Sequence, residues 1–200
     1  MNSLIQRLKT ETQASHASLE SRVDLPQRLQ NPSAYRALLE AFYGIFSPLE
    51  AEIARSFSEI ALWLPDIASR MRTASLRTDL RVLGNLCPEA LPCSPVPPLR
   101  SLPEQLGCLY VLEGSTLGGQ IIARQIASQL HYTPENGCSF FAGHGAEVGP
   151  MWNRFREAIG SFSVAHPDAE TQDQIISSAN ATFRAFGDWF DRAGWIERTA

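Results

Sequence analysis

Apolar residues recur every three or four positions along most of the chain, which is the spacing of one face of an α-helix. A first stripe over residues 4–23 predicts one amphipathic helix. Asn31 and Pro32 mark the start of a second helix, because Asn is a good N-cap and Pro fits the first turn. The apolar stripe of this helix runs over residues 35–57, where Pro48 is expected to kink or interrupt it.

The middle of the chain changes from helical pattern to loop. An amphipathic stretch over residues 60–83 is broken early by Pro65. Prolines then recur through residues 84–101 and exclude regular helix or central strand there. Because the segments on either side are each too small to fold alone, this stretch is predicted to be an ordered surface loop and not a domain linker.

Further helices are predicted in the second half. Ser101 and Glu104 form a capping box at the start of a helix that reaches about residue 130. The glycine-rich stretch 136–149 is predicted to be a loop, and Pro150 opens the next helix. The last helix is expected from about residue 168 to residue 194.

No period-two strand pattern and no internal repeat is present, so the predicted fold class is all-α. We expect one compact domain over residues 1–200 with six to eight helices. The composition agrees with this: 44% hydrophobic and 19% charged residues are typical of a soluble globular protein and exclude intrinsic disorder.

Charge and cysteine content narrow the class of protein further. A net charge of -4 disfavours a general nucleic-acid binder. No apolar run approaches the length of a membrane span, and the N-terminus lacks the apolar core of a signal peptide. The four cysteines form no C-x-x-C pair, so free thiols in a reducing cytoplasm are expected.

The most informative segment is a glycine cluster inside an otherwise apolar helix. Gly114, Gly118 and Gly119 lie there, with Gly107 two turns earlier, although each interior glycine costs a helix about 1 kcal/mol relative to alanine. Gln120 follows where a phosphate-binding loop needs lysine, which excludes that motif. Two interpretations stay open: close helix–helix packing, or close approach of a flat ligand to bare backbone.

One histidine has the surroundings of a ligand. His16 lies beside the apolar face of the first helix, and Glu20 follows one turn later, where its carboxylate can orient one imidazole nitrogen and leave the other free for a metal. Lys9, two turns earlier, is a candidate partner for an anionic group. The alternative is a partly exposed histidine in an ordinary polar pair.

Together these segments resemble the heme oxygenase family. Residues 12–20, TQASHASLE, are similar to its proximal helix, and residues 114–120, GSTLGGQ, to its distal helix. The resemblance extends over the whole chain, with its specificity in these two helices, and it is closest to the soluble bacterial, biliverdin-producing branch. It implies an all-α domain that holds heme between the two helices.

The resemblance also implies individual roles. His16 would be the axial iron ligand as neutral imidazole, with Glu20 as the partner of its other nitrogen. Gly114, Gly118 and Gly119 would let the distal helix bend over the heme face.

Other positions have weaker implied roles. Lys9 and Tyr110 match positions that hold heme propionates, while Asn180 and Phe183 are expected to line the pocket and Arg184 is a further propionate candidate. Ser115 stands where many family members carry the aspartate that anchors a distal water network, and its hydroxyl is a weaker anchor than a carboxylate.

The implied reaction is oxidative cleavage of heme, which serves as both cofactor and substrate, to biliverdin, carbon monoxide and ferrous iron. Dioxygen and an external electron donor, either a ferredoxin or a flavin reductase, are the implied partners, because no flavin, nicotinamide or iron–sulfur motif is present. Two uses of the product stay open: supply of a bilin-binding photoreceptor, and release of iron.

Other functions were weighed against this one. A heme-binding or heme-transfer protein without turnover would use the same ligands. A di-iron oxidase needs several inward carboxylates and histidines, of which only His16 and Glu113 are candidates. A thiamine-degrading enzyme needs a nucleophilic cysteine, and Cys108 is better explained as a buried apolar residue. A purely structural helical protein would leave the His16–Glu20 pair and the glycine cluster as coincidence.

Overall fold

Helices provide nearly all the regular structure in this computed structural model, which describes residues 3–23, 25–91 and 93–192. Ten α-helices follow one another: α1 (Leu4–Glu11), α2 (Gln13–Val23), α3 (Leu25–Arg28), α4 (Pro32–Ala54), α5 (Phe57–Ile60), α6 (Thr73–Val82), α7 (Leu102–Leu130), α8 (Ser139–Ala142), α9 (Val148–Ala165) and α10 (Ala169–Arg192). Within the described ranges, strand-like pairing is limited to isolated bridges near Thr133. The all-α fold class is confirmed.

The first predicted helix is in fact two helices. The two helices meet at Thr12, whose backbone N–H and hydroxyl both donate to the Leu8 carbonyl, at 3.1 and 2.7 Å. Leu4 and Leu8 are buried on α1, whereas α2 has no fully buried residue. The core therefore holds α1, and α2 lies at the margin of the domain with much of its surface exposed.

Pro48 was expected to kink or interrupt the second helix, and the interruption does not occur, because α4 continues through it. A proline at residue 48 cannot donate to the carbonyl of Gly44, one turn earlier. The backbone N–H of Ser94, in the proline-rich loop, donates to that carbonyl instead, at 2.8 Å. A contact from a distant part of the chain thus satisfies the group that the proline leaves without a donor.

The long helix α7 and the last helix α10 form the centre of the fold. The predicted capping box is confirmed: the Glu104 carboxylate accepts from the Ser101 N–H at 2.9 Å, and the Ser101 hydroxyl accepts from the Glu104 N–H. The helix ends at Leu130 as predicted. From α10, the Ser178 hydroxyl donates to the Glu104 carbonyl at 2.6 Å, which joins the two helices near their starts.

Helix α10 lies between α7 and the α1–α2 pair, and all of them run in the same direction. Successive contacts along α10 show this, because residue numbers rise together in each pair of helices. The contacts to α1 and α2 join Arg7 with Asp173, Ser15 with Asn180, and Arg22 with Asp191. The contacts to α7 join Ser101 with Gln174, Glu104 with Ser178, and Cys108 with Thr182.

Some predicted boundaries are corrected by the structure. The stretch 60–83 divides into the end of α5, a 3-10 turn at Ile67–Arg70 and α6. The expected loop at 136–149 contains α8, and α9 begins at Val148, two residues before Pro150. The last helix is described to Arg192, so its predicted end at residue 194 lies outside the described residues. Seven of the ten described helices have eight residues or more.

Candidate functional site

A contact between α7 and the start of α2 aligns the two segments of interest. The Tyr110 side chain of α7 lies close to the Thr12 side chain, at the junction of α1 and α2. His16 lies one helical turn beyond Thr12, and Gly114 lies one turn beyond Tyr110. Because both helices run alongside α10 in the same direction, His16 and Gly114 lie at a similar level of the fold.

The glycines of α7 have different surroundings. Gly107 packs against α10, where an added Cβ would lie 2.9 Å from the Ala179 nitrogen. Gly114 and Gly118 follow at seven and eleven residues, so all three point in nearly the same direction. Yet no atom of the described residues outside the helix backbone lies within 4 Å of a Cβ built at Gly114 or Gly118. Helices α7 and α10 therefore part beyond Gly107 and leave an open face.

The packing interpretation of the glycine cluster holds at some of its glycines and not at others. Gly119 is a packing glycine like Gly107, since an added Cβ would lie 2.9 Å from the Phe141 carbonyl oxygen. At the open face, helix packing does not explain the glycines. Leu117 and Ile121 share that side of α7 and remain 41% and 55% exposed. The open face is thus apolar and free of side chains at its centre, as a flat apolar ligand requires.

Two hydroxyl groups within the glycine cluster donate hydrogen bonds to backbone carbonyls of α7 itself. The Ser115 hydroxyl donates to the Leu112 carbonyl at 2.7 Å, and the Thr116 hydroxyl donates to the Glu113 carbonyl at 2.6 Å. Such bonds compete with the helical ladder and favour bending. The Ser115 proton is therefore committed to the helix, while the oxygen of this exposed residue can still accept a hydrogen bond from water.

His16 is exposed and oriented by two neighbours. Its Nδ1 lies 3.7 Å from a Glu20 carboxylate oxygen. The Phe183 ring of α10 meets the imidazole edge to face, with 5.4 Å between the ring centroids. This leaves Nε2 as the imidazole nitrogen without a partner among the described residues. An imidazole with one free ring nitrogen has the arrangement of an iron ligand, and the bare backbone at the glycines has the shape that a flat macrocycle needs.

Cationic and phenolic groups stand at the edges of this region. Lys9 and Arg184 are exposed, and neither forms an ion pair with a described residue. Tyr110 is half-buried, with its ring 5.8 Å from that of Trp152. Burial raises the pKa of Tyr110, and the interaction with Thr12 partly opposes that effect. Tyr110 is therefore a neutral donor, whereas Lys9 and Arg184 are free to attract carboxylates.

Asn180 and Phe183, the two predicted lining residues of α10, have different surroundings. Phe183 contacts His16, as described above. The Asn180 amide accepts from Ser15 at 2.6 Å and donates to the carbonyls of Glu11 and Ile176, both at 3.2 Å. These bonds fasten α2 to α10, so the Asn180 side chain is committed to holding the helix that carries His16.

A groove of about 330 Å³ runs between α2 and α10. Its lining includes Ser15, Ser18, Arg22, Phe183, Arg184 and Asp188. Neither His16 nor the glycines of α7 contribute to it, so it lies on the neighbouring flank of α2. Phe183 is shared between the groove and the His16 side.

A buried ion pair next to Gly114 was not predicted as a functional element. The Glu113 carboxylate lies 2.5 Å from an Arg70 guanidinium nitrogen, and the Arg70 side chain has no exposed surface. Burial raises the pKa of Glu113 to about 7, although Arg70 opposes this. The signal in the sequence is a carboxylate within a long apolar helix, because such a group is rarely buried without a partner.

Among residues 3–23, 25–91 and 93–192, no group of three or more histidine, cysteine, aspartate or glutamate side chains is arranged to hold a metal ion. In the same ranges, no helix combines the length and apolar character needed to cross a membrane.

Comparison with known proteins identifies relatives of one kind. Heme oxygenase PigA from Pseudomonas aeruginosa is 28% identical over 94% of this chain and 91% of its own length. A heme oxygenase from Xanthomonas campestris is 46% identical over a shorter stretch, 32% of this chain and 40% of that protein. The solved NO- and CO-bound heme oxygenase from Neisseria meningitidis has the same fold, with a TM-score of 0.81. The match covers 100% of this chain and 96% of that one at 21% identity.

The family match extends over nearly the whole sequence. Residues 2–192 fit the sequence model of the family described as heme oxygenase. That range includes both segments on which the resemblance was based, and the all-α fold agrees with it. The chain belongs to the heme oxygenase family.

Proposed function

We propose that this protein cleaves heme oxidatively to biliverdin, carbon monoxide and ferrous iron, with dioxygen and electrons from a separate donor protein. The observation that carries the proposal is the open face at Gly114 and Gly118, level with an exposed, oriented His16 on the neighbouring helix. Family membership supports heme as substrate. When bound, heme supplies the iron at which dioxygen is activated.

On the proximal side, His16 is the proposed axial ligand through Nε2. The Glu20 carboxylate lies 3.7 Å from Nδ1, close enough to be bridged by one water molecule, and favours the tautomer with its proton on Nδ1, which leaves Nε2 available to the iron. Phe183 restricts rotation of the ring from the α10 side. As an iron ligand, the imidazole of His16 would donate less electron density than a cysteine thiolate does.

On the distal side, the proposed roles of Gly114 and Gly118 are spatial. Without Cβ atoms there, the helix backbone can approach the macrocycle and leave room for a diatomic ligand only. Leu117 and Ile121 would contact the macrocycle and exclude water from its face. The Ser115 oxygen, already donating to Leu112, can accept from a water molecule and so orient it for proton delivery.

Charged groups at the edge are proposed to set the orientation of the substrate. Heme carries two carboxylates, and Lys9 is an available cation on the helix that precedes α2. Tyr110 is the proposed neutral donor to one carboxylate, and Arg184 is a second cation. Which carboxylate each one meets determines which ring edge lies under Gly118, and hence which meso carbon is cleaved. We propose a ferredoxin or a flavin reductase as electron donor.

The test is an absorbance experiment on the purified protein with one equivalent of hemin. A reductant is added in air, with catalase present to remove free peroxide. Loss of the Soret band together with growth of a bilin band is the expected result. A stable Soret band that only shifts on reduction would contradict turnover and favour the alternative, a heme-binding or heme-transfer protein.

The axial ligand is tested with two histidine variants. His16→Ala should lose the spectrum of imidazole-ligated heme, and added free imidazole should restore it. His131→Asn is the control, because His131 is exposed at the end of α7 in a left-handed conformation that asparagine tolerates. An unchanged spectrum in His16→Ala would refute the proposed ligand.

A further inference from the structure

The open face of α7 has no contact from the rest of the chain at Gly114 and Gly118, so its position depends on contacts behind it. We call residues 114–118 the distal segment. Glu113 precedes this segment and Gly119 follows it. Counted at 100° per residue, Glu113 and Gly119 each point about a third of a turn away from the open face, on opposite sides. Contacts made by these two residues therefore decide where the segment lies.

The first contact is the Arg70–Glu113 pair. Arg70 binds Glu113 at 2.5 Å, both Asp66 carboxylate oxygens at 2.8 and 3.0 Å, and the Met151 carbonyl at 3.2 Å. Asp66 also accepts from Arg154 of α9 at 3.4 Å. One fully buried guanidinium thus joins α7, α9 and the turn at Ile67–Arg70. The planar guanidinium fixes the directions of these hydrogen bonds, which the flexible ammonium of a lysine would not do.

The second contact is the loop around α8. The Phe141 carbonyl abuts Gly119, and the Gln120 amide donates to the Gly145 carbonyl at 2.6 Å. Buried Asp79 holds the start of α8 by accepting from the Ser139 and Phe140 N–H groups, at 2.9 and 2.8 Å. Because α8 is itself pinned to α6, this end of the distal segment rests on a fixed surface.

We propose that Arg70 is a positioning residue, which acts through Glu113 to hold the distal segment at a set distance from the His16 helix and so limits the size of ligand admitted beside heme. This rests on the proposed function, since the ligand in question binds heme iron. Glycines and back-donating hydroxyls make the segment easy to bend. The ion pair supplies the constraint that the segment lacks, with the α8 loop as the opposite support.

The test compares variants that remove the pair with one that keeps its geometry. Arg70→Met/Glu113→Leu replaces both charges of the pair by apolar groups of similar size, and Asp66, which also loses Arg70, keeps Arg154 as its partner. Glu113→Gln retains an oxygen that accepts from Arg70 and serves as the conservative variant. Glu89→Gln is the control, because Glu89 belongs to exposed ion pairs with Arg77 and Arg81, away from α7.

The first measurement is amide hydrogen exchange of the heme-free protein. In the double variant, residues 114–118 should exchange about tenfold faster than in wild type, while residues 102–112 keep their protection. The second measurement is the affinity of the ferrous heme complex for n-butyl isocyanide relative to carbon monoxide. This ratio should rise about tenfold in the double variant and stay within about threefold in Glu113→Gln and Glu89→Gln.

An isocyanide-to-carbon monoxide ratio unchanged in the double variant overturns the proposal, as does unchanged exchange at residues 114–118. If the double variant does not fold, Arg70→Lys makes the same comparison, because it keeps the charge and loses the planar fork. Changes of about threefold in the same direction are then expected in both measurements. The absence of any change would overturn the proposal. If wild type fails to ligate heme through His16, the proposed function fails, and hydrogen exchange alone decides the role of Arg70.

Discussion

Replacing Gly118 by alanine should make the heme-free protein more stable and heme binding weaker. Gly118 is inside α7, and a Cβ built there has no neighbour within 4 Å among the described residues. The new methyl group therefore meets no steric penalty in the absence of heme. It does occupy the open face, where the macrocycle and its small ligand are proposed to lie.

The size of the gain follows from helix propensity. Glycine is less favourable than alanine in a helix interior by about 0.8–1.0 kcal/mol. For a chain of this length, about 1 kcal/mol corresponds to a rise of about 2–4 °C in the thermal midpoint. Gly107→Ala supplies the matched comparison, because its Cβ would lie 2.8 Å from the Ser178 Cβ and 2.9 Å from the Ala179 nitrogen. Overpacking there should cost about 1–3 kcal/mol, more than the propensity gain.

The assay is thermal and urea unfolding of heme-free wild type, Gly118→Ala and Gly107→Ala, followed by titration of each folded protein with hemin. The expected order of stability is Gly118→Ala, wild type, Gly107→Ala. The Kd for hemin should be raised in Gly118→Ala. A Gly118→Ala variant less stable than wild type would show that the face is packed in solution. Unchanged hemin affinity would remove Gly118 from the site.

Three further predictions test the buried polar groups and the thiols. The folded-state pKa of Glu113 lies near 7, above its value of 4.5 in the unfolded chain. Glu113 therefore contributes most to stability below pH 4.5, and this contribution falls as the pH rises to about 7. Urea titrations at each pH give the unfolding free energies of wild type and Glu113→Gln. The wild-type value minus the variant value should fall by up to about 3 kcal/mol over this window. A difference that does not change with pH would contradict the shift. Asp79→Ala should lower the unfolding free energy by about 3 kcal/mol, because it leaves the Ser139 and Phe140 N–H groups without an acceptor. A loss below about 1 kcal/mol would mean that water replaces the carboxylate. A thiol reagent should modify exposed Cys87 and Cys93 in the native protein, and buried Cys108 and Cys138 only on unfolding. Burial raises the pKa of Cys108 to about 12 and of Cys138 to about 11, which disfavours the reactive thiolate. Modification of Cys108 or Cys138 before unfolding would show local opening.

Local patterns account for much of the fold and for the family. The capping box at Ser101 and Glu104 involves groups three residues apart, so its geometry can be inferred from the sequence. The same holds for the start of α4 at Asn31, whose side chain accepts from the Ala34 N–H. His16 and Glu20 are one turn apart, and their pairing follows from helical spacing alone.

Features that depend on distant contacts escaped prediction. The helix through Pro48 persists because Ser94, far along the chain, donates to the Gly44 carbonyl. The short helix α8 within a glycine-rich stretch depends on Asp79 of α6, which binds its first N–H groups. No local pattern contains either partner, so the local pattern predicts a loop for the stretch and a kink or an interruption at the proline.

The sequence by itself determined the helical fold class, the starts of the long helices α4 and α7 and the two segments that identify the family, because these depend on periodicity and on bonds between near neighbours. It could not separate the glycines that pack from those that face open space, since Gly107 and Gly118 differ only in what α10 and α8 place beside them. It also could not pair Glu113 with Arg70, forty-three residues apart. Tertiary structure decided these points, because burial and the position of a charge partner arise only when distant segments meet.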